Sequence, residues 1–175
     1  MSIDARAARI TLLLFDIDGV LTDGTVTVHA DGSESKTFGI RDGIAIVWAQ
    51  RAGLKVGLLS ARTSPTTLHR AAQIGVTLVH QGVKSKMGTY QRILADEGVT
   101  DAAVAFMGDD IVDLAVLDRV GLAAAPADAV EEVRRRVHFV SRYEGGAGAA
   151  RELVELVLRA QQRWDEIVSG YLRES

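Results

Sequence analysis

The segment ITLLLFDIDGVLT, residues 10–22, decides how the rest of the chain is interpreted. Its first six residues are apolar except for one threonine, which predicts a strand buried on both faces. Asp16 and Asp18 follow at once, and Gly19 allows the backbone to turn. Two such charges repel by about 4 kcal/mol at roughly 4 Å and an effective dielectric of about 20, so proteins keep them together mainly where a cation or a reaction requires it. Taken alone, the motif fits a helix cap as well as it fits a reactive site.

The overall composition is that of an ordinary globular protein. With 175 residues, 47% of them hydrophobic and 25% charged, we expect a single domain over residues 1–175. A net charge of −3 and a pI near 5.8 argue against a nucleic-acid partner, so an anionic substrate needs positive charge supplied locally. The absence of cysteine excludes disulfides, thiolate catalysis and cysteine-ligated metals. No apolar run suggests a leader or a membrane span, and we expect a cytoplasmic protein without a membrane partner.

Short apolar runs alternate with helical patterns along most of the chain. The runs predict strands that end at Phe15, Leu59, Val79, Met107, Ala124 and Val140. Helical patterns lie near 43–52, 65–74, 86–97, 111–120, 128–136 and 149–168. This alternation predicts an α/β fold of three layers, with a parallel sheet between two layers of helices.

One segment breaks this alternation. Residues 24–38 alternate in character on both sides of Asp31-Gly32, a pattern typical of a β-hairpin. We therefore expect a hairpin inserted as a flap at about 24–38. A C-terminal helix and tail are expected over about 149–175.

Polar side chains follow the predicted strands at the point where each strand ends. In open parallel sheets, ligands bind beyond the carboxyl ends of the strands, so residues that serve one site should cluster there. The candidates are Asp16 and Asp18 after the first strand, Ser60 and Arg62 after the second, Lys84 and Lys86 after the third, and Asp109, Asp110 and Asp113 after the fourth. Carboxylates from two strands, a hydroxyl and a lysine are therefore expected at one edge of the sheet.

Each candidate also has an ordinary structural explanation. A lysine at a helix start is usually solvated, and Lys84 competes with Lys86 for a place in the site. Ser60 fits a simple turn, and Asp110 and Asp113 fit acids stabilised by a helix N-terminus. It is the joint occurrence of these groups, in this order, that favours a site.

The polar segments DIDGVLT, LLSAR, QGVKSK and GDDIVD resemble, in order, the four motifs of the haloacid dehalogenase (HAD) superfamily in its phosphatase branch. Further segments, FGIRDG at 38–43, GLAAAPADA and the glycine-rich stretch at 145–149, are similar to the small capless phosphatases of 3-deoxy-D-manno-octulosonate 8-phosphate (KDO-8-phosphate). The resemblance covers nearly the whole chain and implies a Rossmann-like, HAD-like sheet with a flap and no cap domain. It also implies Mg²⁺-dependent hydrolysis of a phosphorylated sugar acid, most closely KDO-8-phosphate, in lipopolysaccharide biosynthesis.

The resemblance gives the residues after the strands their roles. Asp16 is implied as the nucleophile that forms an aspartyl-phosphate, and Asp18 as the acid that protonates the leaving oxygen and then deprotonates water. Ser60 is implied to donate a hydrogen bond to a phosphoryl oxygen, and Lys86 to stabilise the phosphoryl group in transfer.

A magnesium site is implied in the same way. Its ligands would be the carboxylates of Asp16 and Asp109 and the backbone carbonyl of Asp18, with Asp110 and Asp113 in support. Mg²⁺ prefers such hard oxygen ligands together with a substrate phosphate, whose negative charge it offsets.

Recognition of a sugar acid requires cations for its carboxylate. Arg41 and Arg62 are the expected substrate-binding residues, together with Gly19, and Arg142 is a further candidate. Related sequences tend to have arginine where this chain has Ala147. If that arginine grips the substrate, its absence favours another sugar acid or a broader specificity.

Members that resemble this chain close the uncapped site by forming homotetramers, in which hairpins pack together and a neighbour's tail reaches the pocket. The alternating Val26 and Val28 of the predicted hairpin are compatible with such packing, because an exposed apolar hairpin usually pairs with a partner.

Several other functions fit the sequence. The sister phosphatases of nine-carbon sialic-type sugar acids (KDN-9-phosphate or N-acylneuraminate-9-phosphate) share the same plan, and so does a broader sugar phosphatase. A receiver-type signalling domain uses the same chemical groups, but its phosphorylated Asp follows the third strand, where this chain has none. The non-enzyme alternative is a catalytically weak binding or assembly subunit, against which the intact Asp16, Asp18, Lys86 and Asp109 argue.

Overall fold

A computed structural model of the chain describes residues 1–173. Its centre is a six-stranded sheet, and the strands are β1 Leu12–Phe15, β4 Lys55–Leu59, β5 Leu78–His80, β6 Val104–Met107, β7 Leu122–Ala125 and β8 Phe139–Val140. They lie in the order β5-β4-β1-β6-β7-β8, and all neighbouring strands are parallel. Because β1 lies between β4 and β6, the residues that follow these three strands come to the same edge of the sheet.

Helices cover both faces of this sheet. They are α1 Ile3–Ala7, α2 Ile40–Arg51, α3 Pro65–Gln73, α4 Lys86–Glu97, α5 Leu114–Leu117, α6 Glu131–Arg134, α7 Ala149–Ala160 and α8 Trp164–Arg173. All four side chains of β1 are buried, Leu13 and Phe15 in one apolar cluster and Leu12 and Leu14 in the other. Residues of α1, α2, α3 and α7 join the first cluster, and residues of α4, α5 and α6 join the second. The predicted three-layer α/β fold is confirmed.

The predicted hairpin is present between β1 and α2. It pairs β2, Thr27–Val28, with β3, Glu34–Ser35, in antiparallel register. Its turn contains Asp31, whose carboxylate accepts hydrogen bonds from the backbone N–H and the hydroxyl of Ser33. Gly32 follows with a φ of +83°, a backbone conformation that favours glycine.

Two predicted helices are much shorter than their sequence patterns. The segment predicted as a helix over 111–120 begins as a 3₁₀ turn, Ile111–Asp113, and continues as the four-residue α5. The segment predicted over 128–136 is helical only in α6. None of the helices within residues 1–173 is long and apolar enough to cross a membrane.

The single helix predicted near 149–168 is wrong, because the chain turns between α7 and α8. Gln162 has a φ of +59°, and the side-chain amide of Gln161 donates hydrogen bonds to the backbone carbonyls of Ala7 and Ile10. The turn lets Trp164 pack edge-on against Trp48 of α2, with 5.6 Å between the ring centres. Tertiary packing therefore divides a segment whose apolar pattern is continuous. Residues 174–175 of the predicted tail lie outside the described residues.

Candidate active site

The carboxyl edge of the sheet collects the polar residues that follow β1, β4 and β6. The backbone N–H of Asp16 donates to the carbonyl of Met107 at 3.0 Å, which extends the pairing of β1 and β6 by one residue into the site. Ser60 follows β4, is 2% exposed, and accepts a hydrogen bond from the backbone N–H of Arg62 at 3.2 Å. The hydroxyl hydrogen of Ser60 is not used in that bond and remains available to an acceptor.

A buried lysine joins the segment after β1 to the segment after β6. Lys86 Nζ lies 2.8 Å from Asp16 Oδ2 and 2.5 Å from Asp113 Oδ1, and all three residues are buried. Lys86 begins α4, where the Ser85 side chain caps the helix. Lys84 is exposed, so the structure brings Lys86 and not Lys84 to Asp16. Although burial opposes it, the charges of Asp16 and Asp113 raise the pKa of Lys86, and the lysine is held charged.

Three carboxylates crowd together at this point. Carboxylate oxygens of Asp16, Asp109 and Asp113 all lie within 4.8 Å of one another. Burial, with repulsion from the charges of Asp16 and Asp113, raises the pKa of Asp109 to about 7. Burial and the charge of Asp113, opposed by Lys86, raise the pKa of Asp16 to about 6. Both shifts report a site where negative charge is concentrated beyond what Lys86 offsets.

Of these three acids, Asp16 and Asp109 are the candidates to hold a divalent cation. Asp113 Oδ2 accepts hydrogen bonds from the backbone N–H groups of Asp109 and Asp110, and its other oxygen pairs with Lys86. Both oxygens of Asp113 are therefore occupied. A carboxylate oxygen of Asp16 lies within 4.8 Å of one of Asp109. The donor set and the excess negative charge fit a hard cation that takes oxygen ligands.

Asp110 does not join this cluster. It is exposed, and its carboxylate accepts a hydrogen bond from the backbone N–H of Ile111 at 2.6 Å, so it caps the 3₁₀ turn. Of the two acids expected in support, the structure places Asp113 against Lys86 and gives Asp110 the cap role that was its structural alternative.

Gly19 makes room for one of the cation-binding candidates. Its φ is +89°, and a Cβ atom built there would lie 2.1 Å from Asp109 Oδ2. The absence of a side chain at Gly19 thus lets the loop after β1 approach the carboxylate that follows β6. Glycine at this position is explained by packing within the site itself.

Asp18 is not one of the three clustered carboxylates and pairs with the hairpin instead. Its Oδ1 lies 2.7 Å from Lys36 Nζ, and its Oδ2 lies 3.6 Å from Arg62 Nε. Arg62 also pairs with Glu34 of β3 at 2.9 Å. Sequence reasoning did not single out Lys36. The period-two pattern of a strand offers a signal, since Lys36 continues the face of Glu34 beyond the end of β3.

The expected substrate-binding arginines line different surfaces. Arg62 lies beside the hairpin, as described above. Arg41 lies in a separate groove of about 420 Å³, which it shares with Arg142 and Ala147. Both arginines are exposed, and Arg142 pairs with Glu152 at 2.6 Å.

The glycine-rich stretch connects this groove to the loop after β1. The backbone N–H of Gly146 donates to the carbonyl of Val20 at 2.9 Å, and a Cβ atom at Gly145 would lie 2.1 Å from the carbonyl oxygen of Gly19. Residues 145–148 therefore pack directly on the loop that carries Asp18, with the groove on their outer side.

Comparison with known proteins identifies the family. No protein-family model matches the chain. A curated protein of Escherichia coli strain K12, 3-deoxy-D-manno-octulosonate 8-phosphate phosphatase KdsC, is 37% identical over 162 residues, which are 93% of this chain and 86% of that protein. The chain belongs to the KDO-8-phosphate phosphatase family of the HAD superfamily.

Solved structures of KDO-8-phosphate phosphatases share the fold. The enzyme from Yersinia pestis superposes with a TM-score of 0.92 at 36% identity, covering 93% of this chain and 88% of that chain. The enzyme from Moraxella catarrhalis, solved in complex with a magnesium ion, a phosphate ion and KDO, has a TM-score of 0.94 at 28% identity, covering 97% of each chain. The resemblance to this family of HAD phosphatases is confirmed, as is the HAD-like fold.

Proposed function

We propose that the chain is a Mg²⁺-dependent phosphomonoesterase that hydrolyses KDO-8-phosphate to KDO and phosphate. The observation that carries the proposal is the buried cluster in which Lys86 pairs with Asp16 while Asp109 faces the same carboxylate. The relatives support the substrate, because they are named as phosphatases of this sugar acid over most of the chain.

In the first step, Asp16 attacks the phosphorus atom. A P–O bond forms to the Asp16 carboxylate, the ester P–O bond breaks, and the leaving sugar oxygen takes a proton from Asp18. Lys86 holds Asp16 Oδ2 at 2.8 Å, which orients the carboxylate for attack. We assign to Lys86 and to the Ser60 hydroxyl the stabilisation of charge on the phosphoryl oxygens; the buried ammonium group beside Asp16 supports this for Lys86.

In the second step, water attacks the aspartyl-phosphate. Asp18, now deprotonated, accepts the proton of the attacking water, and the bond between phosphorus and the Asp16 oxygen breaks. Phosphate leaves and both aspartates return to their initial protonation states. One carboxylate thus serves as acid and then as base, while the other serves only as nucleophile.

Asp16 and Asp109 would hold the magnesium ion, with the backbone carbonyl of Asp18. When bound, the ion supplies positive charge that offsets the repulsion between the Asp16 carboxylate and a dianionic phosphate. Asp113 has the task of fixing Lys86 and the backbone at Asp109 and Asp110.

For the sugar acid, we assign carboxylate recognition to Arg41 and Arg62, with the backbone near Gly19 close to the phosphate. The two arginines lie on different surfaces, so only one of them contacts the carboxylate of a given bound molecule unless the groove and the hairpin side are spanned together. Arg41→Ala and Arg62→Ala, made singly, identify the arginine that contacts the carboxylate. Replacement of that arginine should raise KM for the sugar acid.

We propose that the protein assembles as a homotetramer. We also propose that it acts in the cytoplasm, in lipopolysaccharide biosynthesis. Val28 of the hairpin is 72% exposed, and Ile40 at the start of α2 is 76% exposed. No cap domain within the described residues covers the site beside them. Such apolar side chains beside an open site support contact with further copies of the chain. Light scattering checks the assembly against the mass of four 18.8 kDa chains.

The test of the activity is a panel of phosphorylated sugars, including eight- and nine-carbon keto acids, compared by kcat/KM from phosphate release. We expect KDO-8-phosphate to be the preferred member, with activity lost on chelation and restored by Mg²⁺. Asp16→Asn should lower kcat/KM by a factor of about 10⁴ or more. The matched control is Asp118→Asn, an exposed aspartate at the end of α5, which should retain activity. Equal turnover by Asp16→Asn contradicts the proposal.

A further inference from the structure

The hairpin contributes one buried cation to the site. The strands β2 and β3 are largely exposed, yet the side chain of Lys36, one residue beyond β3, is only 1% exposed. A buried ammonium group is costly unless a carboxylate accompanies it. Its ion-pair partner is Asp18, with 2.7 Å between Nζ and Oδ1.

Each of the two aspartates of the DIDG motif pairs with a different lysine. Lys86 holds Asp16 from α4, and Lys36 holds Asp18 from the hairpin. Arg62 approaches the other oxygen of Asp18 at 3.6 Å, so cations face both oxygens of this carboxylate. These two ion pairs hold the carboxylate of Asp18 against the hairpin and Arg62.

We propose that Lys36 is a positioning residue for Asp18. The inference rests on the proposed function, in which Asp18 protonates the leaving oxygen. By holding Oδ1, Lys36 fixes where the acid stands relative to that oxygen, and a misplacement of about 1 Å in such a group costs on the order of 100-fold in rate. The contact that docks the hairpin is then also the contact that positions the Asp18 carboxyl group.

A purely structural role for Lys36 makes a different prediction. If the lysine only anchors the hairpin, its loss slows every substrate alike. If it positions the acid, the loss depends on the leaving group, because an alkyl oxygen needs a proton in the first step whereas p-nitrophenolate leaves without one. The ratio of kcat/KM for a sugar phosphate without a carboxylate to kcat/KM for p-nitrophenyl phosphate separates the two roles, because neither ester then depends on recognition of a carboxylate by Arg62.

The experiment measures this ratio for Lys36→Met, Lys36→Arg and Glu34→Gln. Lys36→Met keeps the length of the side chain and removes its charge, and Lys36→Arg keeps the charge. Glu34→Gln removes the negative charge from the other hairpin contact, to Arg62, and keeps an oxygen that can accept its hydrogen bond. Lys55→Met is the matched control, since Lys55 pairs with Glu97 at the opposite end of β4. Melting temperatures show which variants fold, and Lys36→Gln replaces Lys36→Met if that variant does not.

Lys36→Met should lose about 100-fold on the sugar phosphate and at most about threefold on p-nitrophenyl phosphate. Lys36→Arg should recover most of the ratio, and Glu34→Gln and Lys55→Met should leave it unchanged. An equal loss on both esters, or the same selective loss in Glu34→Gln, overturns the role of Lys36. Wild-type turnover tests the proposed function separately: preference for an ester other than KDO-8-phosphate counts against the proposed substrate and leaves the ratio test valid, whereas a wild type inactive on all esters refutes both proposals.

Discussion

Replacing Gly19 by alanine tests the geometry of the candidate metal ligands. The new Cβ would lie 2.1 Å from Asp109 Oδ2 and 2.5 Å from its Cγ, well inside ordinary contact distance. The Asp109 carboxylate must therefore shift by about 1 Å or the loop must move, and a shift of that size at a reactive centre costs roughly 100-fold in rate. The φ of +89° adds about 1–2 kcal/mol of backbone strain for any residue with a side chain.

The strain and the displacement are separated by a matched substitution. Gly53 has a φ of +86°, and no atom lies within 4 Å of a Cβ built there, so Gly53→Ala carries the strain without the clash. Both variants should lose similar thermal stability, but Gly19→Ala alone should need more Mg²⁺ for half-maximal activity and lose kcat/KM. Activity titrated against Mg²⁺ measures this. Wild-type Mg²⁺ dependence in a folded Gly19→Ala protein would refute the placement of Asp109 beside Gly19.

The other buried carboxylates give predictions that unfolding curves can check. Burial raises the pKa of Asp109 from 3.8 to about 7 and that of Asp16 from 3.8 to about 6, so the metal-free fold binds these protons more tightly than the unfolded chain does. The stability that these two groups contribute therefore falls as pH rises from the unfolded value of 3.8 through the folded value of about 7. Melting temperatures measured in chelator should fall as pH rises, and the fall should be smaller in Asp109→Asn. Added Mg²⁺ should raise the melting temperature more at high pH than at low pH, because its carboxylate ligands are deprotonated there. Lys86→Met leaves two buried acids unpaired and should cost about 3–5 kcal/mol in the free energy of unfolding at pH 7, with a smaller loss at pH 5. Asp42→Asn should cost about 1–3 kcal/mol in denaturant unfolding, since the buried Asp42 carboxylate accepts the backbone N–H groups at the start of α7.

Strand-level features were predictable because short apolar runs and polar strand ends are local signals. The apolar residues of β1, followed by Asp16 and Asp18, predicted a buried central strand with a polar site at its carboxyl end. In the structure Asp109 and Lys86 lie beside Asp16. Parallel pairing alone accounts for this convergence, since it aligns the carboxyl ends of strands that are distant in sequence.

Helix ends and side-chain partners were less predictable because they depend on tertiary packing. The break at Gln162 follows from the fit of Trp164 against Trp48, which no local pattern reveals. The pairing of Lys36 with Asp18 depends on how the hairpin folds back over the site, and a lysine in an exposed strand looks solvated in sequence. The choice between Lys84 and Lys86 likewise required the actual start of α4.

The contact between Trp48 and Trp164 gives the protein a built-in optical reporter. These are the two tryptophans of the chain, and the Trp48 indole N–H also donates to the hydroxyl of Tyr171 at 2.9 Å. Both rings lie where the end of α2 meets α8. Intrinsic emission from this protein therefore follows the docking of its last helix, and quenching by an external agent would time the release of that helix while catalysis is followed independently.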